Sequence, residues 1–342
     1  MARAVTGTHD GWLLASALRD SATCGALDAE GWTALLAIAR AEQLLGSLAH
    51  RLHGLPMPDA ARRILADARA SADQGRVAAL WEAEMARRVL APIGCPVVLL
   101  KGTAFVAAGL AAGQGRSIGD LDILVPHGAL ADVEAALIAG GWEWVKPDPY
   151  DDHYYRRWMH ELPPLIHRDR DRMIDVHHTI LPLTARITPD PGAIIADSMV
   201  LENGLRVPGV PDMLAHAAAH LLADGDLAGG MRNLWDVHQL IAEFGLEGVA
   251  HRAAHHGLAR EMARAVRLST ALYGTDVPVD YQHLTRMDRQ YLRRVTARDG
   301  WGRAVRPATR LGFYVRSHWL RMPPLMLARH LWTKWRANGP PR

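Results

Sequence analysis

Cysteine and lysine are both scarce in this 342-residue chain. There are two cysteines, Cys24 and Cys95, far apart in sequence. No Cys-x-x-Cys or Cys-x-x-His spacing occurs, so neither a disulfide framework nor a thiolate zinc site is indicated. Lysine stands only at 101, 146 and 334, and arginine carries most of the basic charge. The formal net charge of +3 is too small to argue for nucleic acid by itself. No apolar run approaches the ~18 residues that a spanning helix needs. The opening segment MARAVTGTHDGW has no apolar core of signal-peptide length, and a reducing cytoplasm is the expected location. No tandem repeat or low-complexity tract stands out beyond an Ala/Arg bias. With 49% hydrophobic and 22% charged residues, the chain reads as folded rather than disordered.

Helical periodicity dominates residues 10–92. Trp12, Leu13, Ala15 and Leu18 begin one amphipathic segment. Asp28 is placed to cap the next, which carries Trp32, Leu35, Leu36 and Ala39. Pro56 and Pro58 interrupt the pattern. A long Ala/Arg-rich helix is predicted from Asp59 to about Leu90, stopped by Pro92 and Gly94.

The pattern changes at Pro96. Val97 to Leu100 is a short, fully apolar run of the buried-strand type. Residues 103–112 read as a helix, Leu121 to Val125 as a second strand and 127–140 as a helix ending at Gly140-Gly141. Trp142 to Val145 is a weaker strand. After a Pro/Asp-rich turn, Leu162 to Ile166 and Met173 to His177 read as a hairpin. From Pro189 the chain returns to helices. The expected organisation is α+β: a small mixed sheet over 93–188, flanked by helical regions over 1–92 and 189–342.

The sheet region carries the chemistry. Asp120 and Asp122 alternate with Leu121 and Ile123, so both carboxylates share one strand face while the aliphatic side chains enter a core. Adjacent buried carboxylates repel and are costly to desolvate. A divalent cation resolves both problems, and Mg²⁺ (or Mn²⁺) accepts carboxylates together with phosphate oxygens. Asp175, in Ile174-Asp175-Val176-His177, supplies a third acid, and it would help to activate an attacking hydroxyl. Paired ions in phosphoryl-transfer sites lie only about 4 Å apart, so the three acids must converge. Gly102-Thr103 lies where a strand turns into a helix, a setting suited to phosphate. Lys101 adds a charge there. Arg116 reads either as a phosphate contact or as an ion-pair partner of Asp120 or Glu161. His177 would share the face of Asp175 and is a possible substrate contact, whereas His178 faces away.

Taken together, Leu100-Lys101-Gly102, a helix, Arg116 and then Asp120-x-Asp122-x-Leu124-Val125 resemble the uncharacterised nucleotidyltransferase family of the polymerase-β-like superfamily. The likeness spans roughly residues 30–240. It extends to the histidines from His216 to His220 and to Arg232-Asn233-Leu234-Trp235-Asp236. The resemblance implies that Gly102-Thr103 stands for the superfamily's Gly-Ser, Asp120 and Asp122 for its metal pair and Asp175 for its third acid. It implies transfer of an NMP from an NTP, ATP among the candidates, to an unidentified hydroxyl or phosphate acceptor. A small molecule or peptide is the preferred acceptor class. The alternatives are a toxin-like enzyme that modifies RNA or tRNA, and a catalytically silent binding protein.

Other features have plainer readings. His216 and His220 have a zinc-compatible i, i+4 spacing, but alanines lie between them and helix packing is expected. Asp236 and His238 would join them in a polar cluster. Gly113, Gly115 and Gly119 do not form a dinucleotide fingerprint. The tail from Pro307 to Trp335 mixes Trp319, Trp332 and Trp335 with Arg316, Arg321, Arg329 and Lys334. It reads as a helix closing the C-terminal bundle, with a membrane or nucleic-acid surface as the alternative; Pro323-Pro324 argues against one long helix.

Overall fold

A computed structural model describes residues 9–146 and 149–321, together with Leu327 and Trp332. The sequence readings of the first eight residues and of Pro323-Pro324, Arg329, Lys334 and Trp335 lie outside the described residues. Four helices come first: α1 (Gly11–Arg19), α2 (Ala29–Ala41), α3 (Leu45–Arg51) and α4 (Asp59–Leu90). Asp28 caps α2 as expected, its carboxylate accepting from Gly31 N at 2.8 Å. Helix α4 ends in a short 3₁₀ turn holding Pro92, and Gly94 follows with φ +73°.

The central unit alternates strands and helices in chain order. It comprises β1 (Val98–Leu99), α5 (Lys101–Ala107), β2 (Asp120–Leu124), α6 (Leu130–Ala139), β3 (Trp142–Trp144), α7 (Pro149–Trp158), β4 (Leu165–His167) and β5 (Met173–His177). The five strands form one sheet in the order β1-β2-β5-β4-β3. Only the β2–β5 pair is parallel; the other three are antiparallel. Helix α7 corrects the sequence reading, which had a turn there. Its Pro149 start suits a helix N-terminus, where a missing N–H costs nothing.

Helices then return: α8 (Pro191–Ala196), α9 (Val210–Ala219), α10 (Gly230–Phe244), α11 (Val249–His255), α12 (Ala259–Tyr273), α13 (Arg286–Val295) and α14 (Pro307–Arg321). A small antiparallel pair, β6 (Met199–Val200) with β7 (Arg206–Val207), interrupts them. It was not expected, because two-residue strands carry no period to read. Helix α9 passes into a π turn over His220–Asp224. Helix α1 packs against α12, and buried apolar side chains from Leu14 to Phe313 form one cluster. On α14, Phe313 packs edge-on to Tyr291, and Arg316 donates to Leu222 O at 2.6 Å, so this stretch closes the bundle. Among the described residues, no helix is long and apolar enough to cross a membrane.

Asp288 fastens α13. It is fully buried and accepts from Arg264 Nε at 2.9 Å, Arg267 Nε at 2.7 Å and Thr285 N at 3.0 Å, the last completing a capping box. Asp288→Ala is expected to cost about 3–5 kcal/mol, because it leaves buried guanidinium groups unpaired. Urea denaturation checks this. Burial opposes ionisation of Asp288, but Arg267, Arg264 and Thr285 outweigh it and hold the carboxyl well below its usual range. A depressed carboxyl stabilises above its unfolded pKa and loses that effect as pH falls through the folded value. The contribution of Asp288 should therefore persist down to strongly acidic pH.

Candidate active site

The parallel β2–β5 pair sets Asp122 directly opposite Asp175, with Asp120 two residues earlier on the same face. Carboxylate oxygens of all three lie within 4.8 Å of one another. Leu121, Ile123, Ile174 and Val176 are buried beneath them, so the alternation expected from sequence fixes both strands. Asp120 is exposed, Asp175 half-buried and Asp122 only 3% exposed.

The three acids differ in their electrostatics. Burial works against ionisation of Asp122, but Lys101 and His177 outweigh it and hold the carboxyl below its usual range. Lys101 Nζ lies 2.5 Å from Asp122 Oδ1. Burial would lower the Lys101 pKa, yet the charge of Asp122 keeps it raised. Lys101 also has φ +47°, in the left-handed region, which costs a non-glycine residue about 1–2 kcal/mol. At Asp175 the opposing influence of His177 is outweighed. Burial, then Glu161 and Asp122, push its carboxyl up to about 7. Three crowded oxygen donors, one of them short of positive charge, fit a hard divalent cation.

Asp120 and Asp122 line a cavity of about 150 Å³ together with Lys101, Gly102, Arg116, Arg232, His216 and His220, among others. Arg116 is 6% exposed and ion-pairs with Asp236 of α10, which corrects the expected partners Asp120 and Glu161. Burial pushes the Asp236 carboxyl up, while Arg116 and Arg232 oppose the rise. The backbone of Gly102 is crowded by Arg116, since a Cβ there would lie 2.4 Å from its Nε. Gly102 therefore serves the approach of an arginine, where the sequence reading had an anion. The glycines before Arg116 also have a packing reason. Gly115, at φ +66°, presses on Gly46 at the start of α3, and a Cβ on it would lie 2.4 Å from Gly46 C.

Three predicted residues lie outside this lining: Asp175, which stays beside the other two acids, Thr103 and His177. Thr103 is 2% exposed and does not line the cavity. His177 is 1% exposed, also outside the lining, and its Nε2–H donates to Asp122 Oδ1 at 2.9 Å. It supports Asp122 from behind rather than presenting a face to substrate. His178 packs apart, with Nε2 3.2 Å from Met159 O. His216 and His220 do join Asp236 around the cavity, but burial and then Lys101 hold both imidazoles well below their usual pKa.

Arg232 was quoted in the sequence comparison but given no role. It lines the cavity, and its buried Nε has no hydrogen-bond partner. Burial and then the charge of Arg116 lower its pKa. A buried Nε without an acceptor, on a guanidinium that shares the cavity with Lys101 and Arg116, suits an anion. The sequence signal available was its place one turn before Asp236 on an amphipathic helix. A second cavity, of about 460 Å³, adjoins the first and shares Arg116, Ser117 and Ile118 with it.

The family model described as an uncharacterised nucleotidyltransferase matches residues 28–274. No protein of curated function matches the chain.

Proposed function

The chain belongs to the uncharacterised nucleotidyltransferase family, and from that premise we propose that it transfers an NMP from an NTP to the oxygen of a small-molecule or peptide acceptor. The observation carrying this reading is the convergence of Asp120, Asp122 and Asp175 opposite a wall that holds Lys101, Arg116 and Arg232. Acids on one side and cations on the other suit a triphosphate. Asp120, Asp122 and Asp175 would hold the cation. A bound Mg²⁺ or Mn²⁺ would neutralise phosphate charge and stabilise the charge that develops on leaving pyrophosphate. Arg232 and Arg116 orient the phosphates, Lys101 moves from Asp122 to a phosphate oxygen, and Gly102 keeps Arg116 in position. Asp175 takes the proton of the attacking hydroxyl. The acceptor oxygen forms a bond to the α-phosphorus, the bond to the β-phosphate bridge breaks, and pyrophosphate leaves.

The adjoining cavity supports a small acceptor. Its volume of about 460 Å³ falls in the usual range for small-ligand pockets, and Arg40, Gln43, Asp67 and Ser71 give it polar groups. The net charge of +3 offers little to favour an RNA acceptor. A silent scaffold would be favoured by dispersed acids, whereas these lie within 4.8 Å of one another. The test is incubation with each labelled NTP, Mg²⁺ or Mn²⁺, and fractionated small molecules, peptides and tRNA. Metal-dependent label transfer to a small or peptidic fraction is expected. Transfer to tRNA alone would move the reading to an RNA-modifying enzyme, and no NTP binding or transfer would overturn it.

Arg232→Ala is expected to raise the KM for NTP about 10–100-fold with a smaller change in kcat, the size of one or two charge-assisted hydrogen bonds. Steady-state kinetics at saturating acceptor would show it. An unchanged KM would remove Arg232 from the phosphate site.

A further inference from the structure

Behind Asp122 lies a second group of side chains that the reaction does not use. His160 and Glu161 follow α7, and His177 ends β5. A Glu161–His177 bridge and a hydrogen bond from His178 N to His160 O, 2.9 Å long, lock the two segments together. Ligand-capable atoms of His160, Glu161 and His177 lie within 4.8 Å of one another.

His177 gives the cluster its meaning. Its Nε2 faces Asp122 Oδ1, an acceptor only, so the proton sits on Nε2. That leaves Nδ1 with a lone pair, and this nitrogen is buried without a hydrogen-bond partner. The atom it faces is Glu161 Oε2, at 3.5 Å, which is again an acceptor. His160 Nε2 approaches the same oxygen at 3.7 Å. A buried imidazole lone pair set against a carboxylate oxygen is unfavourable unless a positive centre lies between them.

We propose that His160, Glu161 and His177 form a binding site for a zinc-class transition-metal ion, separate from the carboxylate cluster. Two imidazoles and one carboxylate form a donor set that suits Zn²⁺, whereas Mg²⁺ takes oxygen donors. Tetrahedral coordination with bonds of about 2.0–2.1 Å puts ligand atoms ~3.3 Å apart, close to the 3.5 and 3.7 Å found here. The fourth position is left for water. The hydrogen bond from His177 Nε2–H to Asp122 supplies the carboxylate that a metal-bound histidine normally engages through its other nitrogen. The ion would therefore fix the His177 ring and, through it, the Asp122 carboxylate. His177 acts as a positioning residue.

The test uses the full-length protein, stripped with chelator and titrated with Co²⁺ in excess Mg²⁺. One equivalent of Co²⁺ should bind with the visible absorption of a four-coordinate nitrogen and oxygen site, and Zn²⁺ should displace it. His160→Ala and Glu161→Gln should each lose that absorption, and Asp120→Asn should keep it. Glu161→Gln is nearly isosteric, so it decides the matter if His160→Ala fails to fold. Parent protein that binds no Co²⁺ overturns the proposal. So does absorption that survives Glu161→Gln but vanishes in Asp120→Asn, which would place the ion among the three aspartates.

Discussion

Asp122→Asn should lower nucleotidyl transfer by about a thousandfold or more, equivalent to ~4 kcal/mol of lost transition-state stabilisation, while the protein melts close to the parent temperature. The two halves of that expectation have separate causes. Asp122 is the acid that faces Asp175 across the parallel pair and is held by both Lys101 and His177. Both partners reach the same oxygen, Oδ1, which the amide can keep, and the amide fills the same space, so packing is preserved. Its missing charge has opposing effects on stability. Lys101 loses its ion pair, but Asp175, whose carboxyl is pushed up partly by Asp122, loses a repulsive neighbour. Function has no such compensation, because a neutral amide is a poor ligand for a hard divalent cation. Label transfer, read beside a thermal melt, checks both halves. A folded Asp122→Asn protein retaining more than about a tenth of parent activity would remove Asp122 from the reaction, since loss of one well-placed charge-stabilising group ordinarily costs 10²–10³.

Much of this was legible in the sequence because two periods are written clearly there. The alternation at Asp120-Leu121-Asp122-Ile123 and at Ile174-Asp175-Val176 could place acids on one face only if both segments were strands, and they are β2 and β5. The limits of α4, Asp59 and Leu90, follow from Pro58 before it and Pro92 and Gly94 after it. Pairing between distant segments was not legible in the same way. That β2 and β5 are parallel neighbours depends on the crossover through α6, β3, α7 and β4, and nothing local encodes it. Burial of His177 was missed for the same reason. Its spacing from Asp175 gives the face, but depth depends on His160 and Glu161, brought in from the segment after α7. Thr103 shows the opposite failure, since a hydroxyl beside a glycine at a helix start looks like a phosphate contact until its burial is known.

Arg116 is the residue at which these limits matter most, because its partner Asp236 lies 120 positions away on α10. Arg116→Ala should destabilise the protein by about 3–5 kcal/mol, since Asp236, 4% exposed, would lose its hydrogen-bonded ion-pair partner and keep only the charge of Arg232. Transfer should fall too, but the single variant cannot separate a lost phosphate contact from a loosened site. The double variant Arg116→Met/Asp236→Leu can. Replacing both members of a buried ion pair with apolar side chains of similar volume is often neutral or stabilising, so most of the lost stability should return. The Met side chain also retains contact with Phe105, which the Arg116 guanidinium now faces 5.3 Å from the ring centre. Activity should not return, because Lys101 and Arg232 would face the triphosphate without the third cation that Arg116 now brings to the cavity. Urea denaturation and NTP binding on the same preparations distinguish the two roles. Restored stability with weak NTP binding is the expected pattern. If the double variant recovers NTP affinity and transfer along with its stability, Arg116 is structural, and the phosphate-binding wall reduces to Lys101 and Arg232.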